Sequence, residues 1–186
     1  MIRARRDVIA VVATAAGLGA LAPRPANAAT AHQIDLNVDR TLHTLYALQP
    51  KARDLARRAK AILVFPQILK AGFIVGGQGG DGALRVGGRT VGYYNIAAAS
   101  FGLQAGAQTF SSALFFMTDA ALDYLQKSDG WSIGSGPSVV VLDKGAAASV
   151  TSTTLTQDVY AIPFGQRGLM AGLGLEGAKI TRIHPG

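Results

Sequence analysis

Two apolar stretches of this chain carry glycine at short intervals, and this feature limits the fold more than any other. They run from Phe65 to Gly82 and from Gly168 to Ile180. Between them, residues 101–108 alternate, with apolar residues at the odd positions and glycine or glutamine at the even ones. A period of two is typical of a half-buried β-strand. Glycine inside a strand marks a bend, a bulge or a close approach of another backbone, so the pattern predicts a strongly bent sheet.

Helices are predicted before this sheet and once within it. Apolar residues recur at helical spacing through residues 31–48, and Pro50 separates this helix from a second one over residues 51–60. A third helix is predicted from a Thr118 cap to Lys127. Pro66 is expected to end the first strand, and a turn over residues 67–70 then leads into the first glycine-rich strand. The remaining residues are predicted to form strands over 62–65, 83–86, 90–97, 101–108, 112–117, 131–142, 146–155, 159–164 and 168–183.

This order of elements predicts an α+β fold. N-terminal helices precede a bent, mainly antiparallel, barrel-like β-sheet, and one helix is inserted into the sheet. No long linker or low-complexity segment divides the chain. We therefore expect a single domain over residues 29–186, which is long enough to bury an adequate core.

The N-terminus has the three parts of an export signal. Arg3, Arg5 and Arg6 form a positive segment, residues 8–22 are apolar, and Ala26-Asn27-Ala28 is a small-x-small cleavage site. The apolar run is shorter than the about 20 residues of a membrane-spanning helix. We therefore expect residues 1–28 to be a signal peptide that uses twin-arginine or general secretion. The mature protein is expected in the periplasm or outside the cell, attached peripherally to a membrane.

Cysteine and charge narrow the possible functions. The chain has no cysteine, so we expect no disulfide, no thiolate chemistry and no lipoprotein anchor. The net charge of the full sequence is +7, and removal of residues 1–28 leaves 14 basic against 10 acidic residues, about +4. This falls short of the basic character typical of nucleic-acid binding. Six basic residues lie within residues 51–70, against Asp54 alone: Lys51, Arg53, Arg57, Arg58, Lys60 and Lys70.

The predicted second helix is basic and amphipathic. Leu55 and three alanines share one face, whereas Arg53, Arg57 and Lys60 lie opposite. Such a helix is typical of proteins that bind anionic membrane surfaces. It is equally typical of a helix that docks on a sheet and leaves its charges in water, and both interpretations can hold at once. The six basic residues are the predicted lipid-binding residues.

Three other patterns suggest chemistry. Residues 77–82 match the G-x-G-x-x-G dinucleotide fingerprint, but no helix is predicted after them, so we expect a tight hairpin there. Ser132 stands in G-x-S-x-G, followed by Asp143 or Asp158 and then by His184, in the order of a hydrolase triad. The helix that should follow Ser132 is missing, so we expect a buried Trp131 and an ordinary strand hydroxyl at Ser132. The three histidines lack metal-ligand spacing. We therefore predict no catalytic residue, no cofactor and no metal site.

The two glycine-rich stretches resemble the signature segments of the SYLF domain. The first contains Lys70-Ala71-Gly72 before hydrophobic residues and a glycine-rich loop, and residues 168–177 match the second signature. The resemblance covers about residues 48–183. It implies a module that binds lipids, phosphoinositides among eukaryotic members and actin among fungal ones, with exported single-domain members in bacteria. Two departures concern residues 92–95, where relatives commonly carry Trp and Pro, and the first helix, which is not basic here.

Together, these features predict an exported, non-enzymatic module that binds anionic phospholipid membranes through the basic second helix. One alternative is a serine-hydrolase-like enzyme that uses Ser132. Another is a protein-interaction module similar to actin-binding relatives, although the sequence identifies no protein partner.

Overall fold

The computed structural model describes residues 29–142, 156–168, 175 and 177–186. Its α+β architecture agrees with the class predicted from the sequence: N-terminal helices, then a curled, mainly antiparallel sheet with one inserted helix. The elements are α1 (Ala31–Leu48), α2 (Ala52–Arg58), β1 (Ala61–Val86), β2 (Arg89–Phe116), α3 (Asp119–Lys127), β3 (Trp131–Ser132), β4 (Val139–Val141), β5 (Val159–Gly168) and β6 (Lys179–Ile183).

One long hairpin dominates the sheet. Strands β1 and β2 have 26 and 28 residues and pair antiparallel from Val86↔Arg89 to Ala61↔Phe116. Gly87 and Gly88 form the turn with positive φ angles of 57° and 81°, which glycine adopts without steric cost. The other strands follow the order β3-β6-β2-β5-β4, and only the short β4–β5 pair is parallel.

The β1–β2 hairpin folds back on itself. The end of β1 crosses its beginning, where Gly80 and Gly82 lie against the backbone carbonyl groups of Gln67 and Val64. A Cβ atom at either glycine would come within 3.0 Å of the facing oxygen. The glycines predicted to allow a bend or a close backbone approach therefore do so in this ribbon.

Each face of the sheet carries a core. Residues of β2 alternate between them: Leu114 and Phe116 pack in the inner core with Trp131, whereas Ala113 and Phe115 pack in the outer core. Helices α1 and α2 cover the outer core with buried side chains, namely Ile34, Val38, Leu45, Ala52 and Leu55. Burial on both sides explains why the end of β2 is almost continuously apolar.

Several predicted boundaries within the hairpin are wrong. Pro66 does not end a strand, because β1 continues past it through a register shift between Phe65 and Ile68. Ser111 on β2 donates a hydrogen bond to the Pro66 carbonyl oxygen at 2.7 Å, so the partner strand stays attached at this irregularity. The predicted turn at residues 67–70 and the hairpin at residues 77–82 are both part of β1. Likewise, the three strands predicted between residues 90 and 117 form the single strand β2.

The C-terminal strands are shorter than predicted. Residues 131–142 contain only β3 and β4, since Gly134 and Gly136 adopt positive φ and interrupt the extended backbone. The strand predicted over residues 168–183 is observed only at its ends, where Gly168 closes β5 and residues 179–183 form β6. The predicted strand 146–155 and most of the second glycine-rich stretch lie outside the described residues, as does the predicted signal peptide. No helix in the described ranges is long and apolar enough to cross a membrane.

Candidate functional site

Helix α2 docks on the sheet and presents its charges outward. Ala52 and Leu55 are 2% and 3% exposed in the outer core. Arg53, Arg57 and Arg58 are exposed on the opposite side. The predicted division between an apolar and a basic face is therefore confirmed, and the apolar face is used for packing within the protein.

The cations of α2 have weak local partners. Arg57 pairs with Asp54 one turn earlier, and Lys60 lies 3.2 Å from the Asp119 carboxylate at the start of α3. Arg53 stands over the Tyr46 ring, 5.6 Å from its centroid. Both carboxylates are largely exposed, and ion pairs in water contribute only about 0–1 kcal/mol. Another anion can therefore replace these carboxylates at little cost.

Five of the six predicted binding residues gather around α2, and the sixth lies elsewhere. Lys51 and Lys60 flank the helix that carries Arg53, Arg57 and Arg58. Lys70 instead pairs in register with Gln108, ten residues farther along the chain than Lys60. The path along ten residues of strand is about 33 Å, and it passes the register shift between Phe65 and Ile68. A membrane surface that contacts α2 therefore need not contact Lys70.

A groove opens beside α2. It has a volume of about 440 Å³ and lies between α1, the end of α2, the start of β1 and the Gly87–Gly88 turn. Its apolar lining consists of half-buried side chains, mainly Leu42, Tyr46, Ala56, Ala59 and Ile62. Its charged lining consists of Arg57, Lys60, Arg85 and Asp39.

Arg85 joins the hairpin to α1 at one wall of this groove. Its side chain is 13% exposed, and Nη2 donates to the Asp39 carboxylate at 2.8 Å and to the Asp35 carbonyl oxygen at 3.2 Å. Nη1 donates to the Gly88 carbonyl oxygen at 3.2 Å. Nε is buried and has no acceptor among the described residues. Nothing in the sequence indicates this role, because Asp39 lies 46 residues before Arg85.

Asp35 extends the same connection to β2. Thr90 donates to one carboxylate oxygen at 2.6 Å, and the Tyr93 hydroxyl donates to the other at 2.9 Å. Burial, followed by the hydrogen bond to Asp35, raises the pKa of Tyr93 above its ordinary value. The two hydrogen bonds to Asp35 join α1 to β2 and hold the helix over the hairpin.

The residues of the hydrolase-like pattern are not assembled into a site. Ser132 pairs with Lys179 at one end of β6, whereas His184 follows the other end, about 17 Å away along the strand. The Asp158 carboxylate accepts hydrogen bonds from Ser138 and Thr118, and Asp143 lies outside the described residues. Trp131 is buried and Ser132 is an exposed strand residue, as predicted.

The other chemical patterns can be compared with the structure in the same way. Residues 77–82 lie inside β1, and β1 leads through the turn into β2. They therefore lack the helix that a dinucleotide phosphate requires. In the part of the chain that the structure describes, no group of three or more His, Asp or Glu side chains could hold a metal ion.

Comparison with known families assigns the C-terminal part of the chain. Residues 97–184 match the family Ysc84, described as Las17-binding protein actin regulator. The chain therefore contains a match to the Ysc84 (SYLF) domain over these residues. The Ysc84 match extends from within β2 to just after β6, so it includes the second glycine-rich stretch. No curated protein matches this chain.

The Ysc84 match confirms the inferred resemblance over the part of the chain that holds the second glycine-rich stretch, whereas the first stretch, residues 65–82, lies before the matched residues. Ysc84 proteins are associated with the binding of lipids or of actin regulators. Both the basic helix α2 and the groove beside it lie mainly before residue 97, outside the matched residues. A role for this surface therefore has to be argued from its own chemistry.

Proposed function

We propose that this protein binds anionic phospholipid membranes through the basic surface of α2. The observation that supports the proposal is the orientation of α2, whose apolar side is buried while its cations face water. Residues 51–60 contain five basic residues and one acidic residue, a net charge of +4. This equals the whole net charge expected for residues 29–186, so the attraction to an anionic surface is directed through one short segment.

The attachment is electrostatic and reversible. Each basic residue near an anionic membrane contributes up to about 1 kcal/mol to the binding free energy, so five residues contribute at most about 5 kcal/mol. The ion pairs of Arg57 and Lys60 reduce this value. A binding free energy of about 4 kcal/mol corresponds to a dissociation constant of about 1 mM. Leu55 is buried and adds no insertion energy. The screening length falls from about 10 Å at 0.1 M salt to 3 Å at 1 M, so salt should release the protein.

Vesicle co-sedimentation tests this proposal. Residues 29–186 should sediment with phosphatidylglycerol vesicles at low salt and remain largely in solution with phosphatidylcholine vesicles. The variant Arg53→Gln/Arg57→Gln/Arg58→Gln removes three charges without replacing a buried residue, and glutamine is a good helix former. It should lose affinity about tenfold or more, because 1.4 kcal/mol corresponds to a factor of ten.

A matched control separates the α2 surface from overall charge. The variant Lys127→Gln/Arg167→Gln/Arg182→Gln removes three exposed charges from other elements and should bind nearly as well as the wild type. Equal losses in both triple variants, or no loss in the α2 variant, would contradict the proposal. Lys70→Gln tests the sixth predicted residue by itself, and its place on β1, outside α2, predicts a small effect.

A protein partner is the second candidate function. The description of the Ysc84 family as an actin regulator supports it, and the match covers β2 to β6 rather than α2. Such a partner would bind independently of anionic lipid. In that case the α2 triple variant would retain function while variants on the matched strands would lose it.

Export remains part of the proposal. The charged, apolar and small-x-small segments of residues 1–28 support removal of a signal peptide and action of the protein outside the cytoplasm. Intact-mass measurement of the protein from its host should then give an N-terminus at Ala29 or within a residue or two. A cytoplasmic pool that retains residues 1–28 would contradict this location.

A further inference from the structure

We infer that the groove beside α2 binds a single molecule of an anionic, single-chain amphiphile, such as a lysophospholipid with a phosphate head group. The inference deepens the proposed function, on which it rests, by assigning a ligand to a defined site next to the membrane-facing cations. It differs from surface attachment because one lipid molecule, with no bilayer present, is sufficient to fill the site.

The apolar wall of the groove suits an acyl chain. Leu42 and Tyr46 of α1 face Ala56 of α2 and Ile62 of β1 across the same concave space. These side chains border the outer core but stay half-exposed. Removing apolar surface from water is favourable in proportion to its area, so an acyl chain laid along this wall would continue the core outward.

The charged wall suits a phosphate. Arg57, Lys60 and Arg85 contribute three positive charges, against the Asp39 carboxylate in the lining and the Asp35 carboxylate, 3.6 Å from Arg85. Asp39 is already held by Arg85 at 2.8 Å. The carboxylates that pair with Arg57 and Lys60 belong to Asp54 and Asp119, which are exposed and do not line the groove. Phosphate oxygens can therefore take the place of these carboxylates.

Arg85 places a fixed positive charge in the same wall. Its Nε–H is buried without an acceptor in the described part of the chain, although the two terminal nitrogens are well bonded. A buried donor without an acceptor destabilises the folded protein. The Nε atom has almost no accessible surface, so Arg85 contributes its positive charge to the groove wall rather than a further hydrogen bond to the ligand.

The size of the groove favours one chain over two. A volume of about 440 Å³ falls in the lower half of the range of about 300–1,000 Å³ for small-molecule sites. It accommodates a head group and part of one acyl chain. Because Lys60 lies in the charged wall and Leu42 in the apolar wall, we expect the head group near Lys60 and the acyl chain near Leu42.

Isothermal titration calorimetry with monomeric lipid tests the inference. Lysophosphatidylglycerol below its micellar concentration should bind with one site per protein. Lysophosphatidylcholine should bind at least tenfold more weakly, because its head group is neutral overall, and glycerol phosphate should bind at least tenfold more weakly, because it lacks the chain. Equal affinity for either control, or no binding of lysophosphatidylglycerol, would overturn the inference.

A variant that fills the groove, compared with the same substitution outside it, tests the position of the site. Ala56→Phe places a ring in the groove from the half-exposed side of α2 and should weaken lysophosphatidylglycerol binding at least tenfold. Ala47→Phe makes the same change at an exposed position of α1 that does not line the groove, and it should bind like the wild type. Equal behaviour of the two variants would contradict the site. If Ala56→Phe does not fold, methyl NMR shifts of Leu42 and Ile62 in the wild type on lipid addition answer the same question, and unchanged shifts refute the site.

Vesicle binding separates this inference from the proposed function. Ala56→Phe should still sediment with phosphatidylglycerol vesicles, because the outward cations of α2 remain. Vesicle binding without monomer binding refutes the groove and leaves the membrane-surface proposal intact. Binding of monomeric lysophosphatidylglycerol without vesicle binding refutes the membrane-surface proposal and leaves the groove as a lipid site.

Discussion

Replacement of Gly80 by alanine provides the sharpest test of the folded-back ribbon. An added Cβ would lie closer than 3.0 Å to the Gln67 carbonyl oxygen and would also crowd the Ile68 Cα at 3.2 Å. Both neighbours are backbone atoms, so no side chain can rotate to make room. The clash can be relieved only if the two crossing parts of β1 separate.

The expected change in the free energy of unfolding of Gly80→Ala follows from two opposing effects. Overpacking costs about 1–3 kcal/mol, and a backbone clash belongs at the upper end of that range. Alanine in place of glycine in a strand recovers about 0.5–1 kcal/mol. Gly80→Ala should therefore destabilise the protein by about 2 kcal/mol, which lowers the melting temperature of a domain of this size by about 4–8 °C.

Gly79 is the matched control. A Cβ at Gly79 would meet only the Ile96 carbonyl oxygen, at an ordinary 3.6 Å. Gly79→Ala should therefore be neutral or stabilise by about 0.5 kcal/mol. Thermal unfolding followed by circular dichroism compares the two variants directly. Equal melting temperatures would refute the close approach of Gly80 to Gln67 and with it the fold-back of the ribbon.

Three further substitutions have defined outcomes. Trp131→Ala removes a side chain that is 1% exposed. Its ring packs edge-to-face against Phe116, with 5.9 Å between the ring centroids, and its Nε1 donates a hydrogen bond to the Ser135 carbonyl oxygen. Urea denaturation should therefore show a loss of about 3–5 kcal/mol in the free energy of unfolding. Ser132→Ala should change stability by less than about 1 kcal/mol and leave vesicle binding intact, whereas labelling of Ser132 by a fluorophosphonate probe would support an enzyme. Hydrogen bonds from the Ser138 backbone N–H and hydroxyl lower the pKa of Asp158 below its ordinary value. The charged form therefore stabilises the fold above the unfolded-state pKa of about 4, and this stabilisation is lost as the pH falls through the folded-state pKa. Asp158→Asn should accordingly lower the melting temperature at pH 7, and the difference from the wild type should shrink below about pH 4; a constant difference would contradict the shift.

Local patterns predicted the helices and the bend but not the path of the strands. The helical spacing of Ile34, Val38 and Leu45 gave the bounds of α1 correctly, because the face that they form is buried by one layer of sheet. Pro66 was misleading, since a proline that normally ends a strand is accommodated here at a β-bulge. Whether a strand ends at such a residue depends on its partner strand, and Ser111 lies 45 residues away in sequence.

The same distinction applies to the candidate site. The basic face of α2 is a property of ten consecutive residues and could be predicted from their spacing. The groove is lined by four elements, and its Arg85–Asp39 pair joins residues far apart in the chain. No local pattern contains that information, so the separation of Lys70 from α2 and the role of Arg85 required the fold.

The register of the long hairpin has a consequence for how the chain folds. Paired residues are three positions apart at Val86↔Arg89 and 55 apart at Ala61↔Phe116. Zipping from the Gly87–Gly88 turn lets each new pair close a small additional loop, which limits the entropy lost at every step. Helix α2 joins the strand end that zips last. In this order of pairing, the proposed lipid-binding surface and the groove form only when the last pairs of the ribbon have closed.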